Sequence, residues 1–151
     1  MAKEDYAGIG SRAIAVIIDH IILMIITVII ALPFGMTSAL FSMMGSVANP
    51  VALASTMALM STVMVISLVI WILYFTYFES KTGQTLGKKM VNIKVVREDG
   101  KKLTFGEAFL RTILRVIDGL AVYLLGFIVV LVSEKKQRIG DIAAKTVVVR
   151  A

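Results

Sequence analysis

Cysteine is missing from all 151 residues, which excludes disulfides and thiolate-bound metals and leaves no reading of the redox compartment. Histidine occurs once, as His20, so there is no His/Glu spacing for a metal site. Proline is limited to Pro33 and Pro50. Charge is scarce: Asp, Glu, Lys and Arg make up 17% of the chain, against about 25% in ordinary soluble domains. Between Ile21 and Phe78 they vanish altogether. Nucleophile elbows, Walker loops and dinucleotide loops are also absent, because "GIGSRA" and "SKTGQTLGKK" follow no strand. Nothing in the sequence supports hydrolytic or redox chemistry, and the expectation is a protein that is not an enzyme, with no metal and no cofactor.

What remains is apolar. Hydrophobic residues form 58% of the chain and the mean hydropathy is +0.90, the composition of an integral membrane protein. The net charge of +6 is carried by short segments flanking the apolar runs. Positive-inside bias and anionic head groups account for it, so nucleic acid is excluded and the lipid bilayer is the expected partner. A span crosses the hydrocarbon core in about 20 helical residues. The sequence predicts a first span over 10–32, retained and not a signal peptide because it contains Asp19, and a second over 52–78. Residues 33–50, with both prolines, read as a non-cytoplasmic loop bearing a short interfacial helix over 37–47. The aromatic cluster "WILYFTYF", including Trp71, Tyr74 and Tyr77, reads with Tyr6 as an interface belt.

Residues 79–103 contain seven basic and three acidic side chains, which places them and the N-terminus in the cytoplasm. Within them "MVNIKVV" alternates like a strand and "EDGK" is a turn signal. Residues 104–118 read as an interfacial amphipathic helix, with Phe109, Ile113, Leu114, Val116 and Ile117 opposite Arg111, Arg115 and Asp118. The apolar stretch that follows is short for a full span, so 104–132 is either a third span or a re-entrant element entering and leaving by the cytoplasmic face. The fold class is therefore an all-α membrane protein: two full transmembrane helices, an interfacial helix, a third hydrophobic helix and a small cytoplasmic β element, in one membrane domain over 1–151.

An internal repeat supports that β element. "QTLGKKMVNIKVVR" (84–97) and "QRIGDIAAKTVVVR" (137–150) align without gaps and share glutamine, glycine, two valines and arginine. Copies in one compartment can pair their strands, which favours a cytoplasmic C-terminus.

Three charges stand out. Asp19 lies about 13 Å along a helix beginning near Gly10, close to the middle of a core about 30 Å thick, where an acid needs protein, water or a proton for company. Arg12 shares its face but lies about 10 Å away, so each needs its own partner. For Arg12 the candidates are Asp118 and Asp141; for Asp19 they are Arg111, Arg115 or a bound cation. His20 points about 100° from Asp19 and suits packing better.

"YAGIGSRAIAVIID", "GQTLGKKMVNIKVVREDGKKLTFGEAFLR" and "QRIGDIAAKTVVVR" together resemble the RDD family of small prokaryotic membrane proteins, named for one arginine and two aspartates. The resemblance covers most of the chain outside 33–70, and it implies Arg12 as the arginine with Asp19 and Asp141 as the aspartates. Lys145 departs from the commoner family form, which has glycine there. The family implies transport of unidentified ligands, with cation/proton antiport proposed for some members. The expectation is a multi-pass protein of a prokaryotic cell membrane that exchanges a monovalent cation for a proton in a Na+/H+-type antiport. It would act as a homo-oligomer, since so few spans enclose no pathway alone. The alternative is a non-catalytic scaffold whose Arg/Asp/Asp network is structural.

Overall fold

The structure, a computed structural model, describes residues 6–44, 50–120, 133 and 137–151, with side chains for all of these except 36–44, 52 and 117–120. The chain divides into two compact units, one of Met1–His20 with Ile72–Ala151 and one of Ile21–Trp71.

The second unit is helical. Helix α1 (Ile9–Met44) continues through Pro33 and well past the span expected to stop at Leu32. The missing N–H of a proline costs a hydrogen bond, but a long apolar helix tolerates the break where a soluble one would end. The loop expected from position 33, with its separate short helix over 37–47, is thus replaced by helix as far as Met44; residues 45–49 lie outside the described residues. Helix α2 (Pro50–Thr82) opens on its proline, where the absent N–H has no intrahelical partner to lose. Windows over Ile9–Gly35 and Leu53–Thr82 are long and apolar enough to cross a membrane. Large side chains such as Ile25, Ile29, Leu53 and Met64 are more than half exposed, as hydrocarbon-facing surfaces should be.

The first unit is built on a duplication. Helix α3 (Leu86–Met90) leads into strand β1 (Ile93–Arg97), and after helix α4 (Phe105–Leu120) a second short helix, α5 (Ile139–Ala143), leads into strand β2 (Thr146–Arg150). Each short helix is followed by a residue with left-handed backbone, Asn92 at φ 51° and Lys145 at φ 50°. The Gln84 side chain donates to the carbonyl of Ile93 at 3.0 Å, and Gln137 donates to that of Thr146, the equivalent position, at 2.9 Å. The strands pair antiparallel with Val95 opposite Val148 at the centre. These two valines are themselves repeat partners, so a local pseudo-two-fold axis passes between them. Two strands alone are marginal; here Ala15 of α1 and Ala108 of α4 pack with Ile93, Val95 and Val148, and Tyr6 bridges to Val149.

Helix α4 is amphipathic as expected, and its start is a capping box: Thr104 N–H donates to Glu107 at 2.8 Å and Glu107 N–H to the Thr104 hydroxyl at 3.3 Å. Its orientation reverses the usual assignment. Arg111, Thr112 and Arg115 are buried while Phe105, Phe109 and Leu110 are exposed. The polar face turns inward because buried acids await it, and the apolar face suits a lipid interface. Residues 121–132, which decide between a third span and a re-entrant turn, lie outside the described residues.

Candidate functional site

The first unit buries charge in unusual density. Arg12, near the start of α1, donates to Asp141 Oδ2 at 3.3 Å and to the Val148 carbonyl at 3.4 Å. Asp141 sits in the first turn of α5, where it also accepts from the Arg138 backbone N–H at 3.1 Å, a favourable seat for an acid. Its other oxygen meets Arg111 Nη1 at 2.6 Å. Arg111 also donates to the Thr146 hydroxyl and, through Nε, to Glu79 Oε2 at 3.1 Å. Glu79 is fully buried and receives Lys88 Nζ at 2.6 Å and Arg115 Nη2 at 2.9 Å on its other oxygen. The Arg115 guanidinium lies 4.2 Å from the Phe75 ring centroid. Arg111 therefore bridges two buried carboxylates on separate elements, a task suited to its planar fork.

Asp19 belongs to a separate cluster. Completely buried, it accepts from the Tyr74 hydroxyl at 2.7 Å, the Thr85 hydroxyl at 2.5 Å and the Gly87 backbone N–H at 2.8 Å. Among the described residues its partners are all neutral. Successive residues of α3 join the clusters, with Gly87 on Asp19 and Lys88 on Glu79. Close approach is what makes this possible: a Cβ at Gly87 would collide with the Ala15 carbonyl oxygen and stand 2.9 Å from the Asp19 carboxylate.

Environment sets the protonation of the groups outside the spans. Burial pushes the Lys88 ammonium down to about 8 even against the attraction of Glu79. For Asp141 burial acts upward, but Arg111 and Arg12 outweigh it and hold the carboxyl below its ordinary range.

Of the residues singled out in the sequence, Arg12 and Asp141 are brought together, and Asp19 is held apart from both. Arg111 and Arg115, two of the candidate partners for Asp19, do not serve it; both turn to Glu79, which they share with Lys88. The Asp118 side chain lies outside the described residues. His20 Nδ1 is 2.7 Å from the Val16 carbonyl of its own helix, a local packing role. Glu79 escaped notice because it opens a polar stretch and reads as loop, although it lies four residues after Phe75 on a helix that had not ended. Tyr74, expected in an interface belt, instead donates to Asp19; a hydroxyl able to cross to another helix leaves no mark in composition.

A model described as the RDD family matches residues 6–145. The chain belongs to the RDD family. The match runs through Arg12, Asp19 and Asp141, and with the two apolar helices it makes this a membrane protein. The chain is also similar to uncharacterized protein YxaI of Bacillus subtilis (strain 168), 36% identical over 155 residues covering 97% of this chain and 98% of the relative. No solved structure matches this RDD chain.

Proposed function

We propose that this RDD protein is a non-enzymatic membrane transporter that exchanges a proton for a monovalent cation at Asp19. The supporting observation is that Asp19 is fully buried with only neutral partners among the described residues. Two of those partners are hydroxyls, which can turn from donating to a carboxylate to offering lone pairs to a cation. In one state Asp19 and the oxygens of Tyr74 and Thr85 hold the cation; in the other Asp19 holds the proton. Arg12 and Asp141 keep α1, α4 and α5 together and stand outside the exchange. On this reading the protein is a homo-oligomer in the prokaryotic cell membrane, with both termini cytoplasmic because basic residues crowd the segments flanking the spans.

The Gly87 N–H on Asp19 favours a second reading, in which the acid staples α3 to α1 and the protein is a scaffold. Proteoliposomes carrying a pH gradient separate the two. Under the first, sodium or potassium dissipates the gradient and Asp19→Asn abolishes this in protein that still folds. Cation-dependent dissipation that survives Asp19→Asn overturns the exchange mechanism. Absence of flux in the unaltered protein, with a lower Tm in the variant, establishes the staple.

A further inference from the structure

Beside the Arg12–Asp141 pair lies a small cavity of about 30 Å³, lined by Arg12, Lys88, Arg111, Arg115, Arg138 and Asp141 among others. Five of these six side chains are basic. Glu79 neutralises part of the charge, yet among the described residues the four buried cations Arg12, Lys88, Arg111 and Arg115 pair with two acids, Glu79 and Asp141. Asp19, the third buried acid among the described residues, does not line the cavity. Two lining guanidinium groups also have an unused donor: Arg12 Nε and Arg115 Nη1 are buried without a hydrogen-bond partner among the described residues, in side chains only 5% and 8% exposed. Buried cations that outnumber their acids, with N–H donors left unused, are costly out of water, and a pocket that gathers them is completed by a counter-charge.

We infer that this cavity is a binding site for a small oxyanion of the phosphate class, separate from the proposed cation site at Asp19 and not resting on it. The volume has room for about two waters or one small oxyanion, and planar guanidinium forks match phosphate oxygens. Arg12 Nε and Arg115 Nη1 supply the open donors, while Lys88 and Arg138 add charge. The anion comes either from solution or as the head group of an anionic lipid, since basic pockets among membrane helices take such head groups. In either case the ligand locks α1, α4 and α5 around one charge.

Purified full-length protein in neutral detergent, titrated with inorganic phosphate at constant ionic strength with chloride as the balancing ion, should show a saturable rise in Tm. Nanodiscs containing phosphatidylglycerol in place of phosphatidylcholine provide the lipid arm. A response to phosphate alone assigns a soluble anion, a response to phosphatidylglycerol alone assigns a head group, and a response to both assigns one site that takes either. Arg115→Gln should weaken the half-saturating concentration tenfold or more. Arg138→Gln, at the half-buried rim, should weaken it severalfold and stands in if Arg115→Gln fails to fold; Lys89→Gln, outside the cavity, should leave it unchanged. The inference is overturned if neither ligand shifts the Tm, or if the shift persists undiminished in the cavity variants that fold.

Discussion

At the scale of single residues, two positions carry more than their chemistry suggests. Gly87 has no side chain, yet its hydrogen atom is what lets α3 reach the Ala15 backbone and the Asp19 carboxylate. Gly87→Ala should therefore lower stability by about 2–3 kcal/mol, the cost of overpacking against backbone that cannot retreat. Gly140→Ala, whose new Cβ would lie 3.3 Å from the Arg111 carbonyl oxygen, should cost under about 1 kcal/mol by the same reasoning; Tm measurements in detergent compare the two. Asp141 supplies a pH dependence. Its carboxyl is held below the ordinary value of 3.8, because Arg111 and Arg12 favour the charged form more than burial opposes it. A depressed folded pKa contributes stability that is complete above the unfolded value and disappears as pH falls through the folded one. The Tm should thus decline from about pH 4 downward, and Asp141→Asn should start lower and flatten that part of the profile.

At the scale of elements, the repeat places Lys145 where the first copy has Asn92, both with left-handed backbone. Lys145 adopts φ 50° between α5 and β2, a left-handed conformation that glycine adopts freely and a lysine does not. Lys145→Gly should raise stability by up to about 1 kcal/mol, the strain relieved less the entropy glycine loses on folding. Thermal denaturation checks it, and a loss of more than that would mean the lysine side chain has a role of its own. The repeat was legible in sequence because glutamine, glycine and valine recur at fixed spacing. The five-residue helices between them were not, since so short a helix has no periodicity to read and is held by capping and packing. Helix α4 was legible as amphipathic, but a pattern of faces cannot say which one turns inward. That depended on Glu79, on a different helix.

At the scale of the whole molecule, duplication and charge inversion combine. Lys88 and Asp141 occupy matching places after the two close-packed glycines. Gly87 packs on Ala15 and Gly140 on Arg111, so four residues further along the two long helices Asp19 matches Arg115. Two related halves thus carry opposite charges at equivalent positions, and these charges find their partners elsewhere: Lys88 and Arg115 on Glu79, Asp141 on Arg12 and Arg111, Asp19 on neutral donors. Pairing of β1 with β2 also requires both copies to lie on one side of the membrane, because a two-stranded sheet joined by backbone hydrogen bonds cannot straddle it. Cysteines introduced at Lys89 and Ala151, both exposed, should be labelled from the same side by an impermeant maleimide in spheroplasts and in inverted vesicles. Labelling from opposite sides would refute the pairing.

By itself the sequence determined the membrane character, the two long apolar helices and the repeated strand unit, and it singled out Arg12 and Asp19 as charges in need of partners. These follow from hydropathy, local periodicity and the cost of charge in hydrocarbon, which act along the chain. Only the tertiary structure decided that Arg12 belongs to Asp141, that Glu79 collects Arg111, Arg115 and Lys88, and that Asp19 rests on hydroxyls and a backbone N–H. A buried charge demands some partner as a matter of solvation, but which partner it finds depends on how residues up to 129 positions apart are brought together.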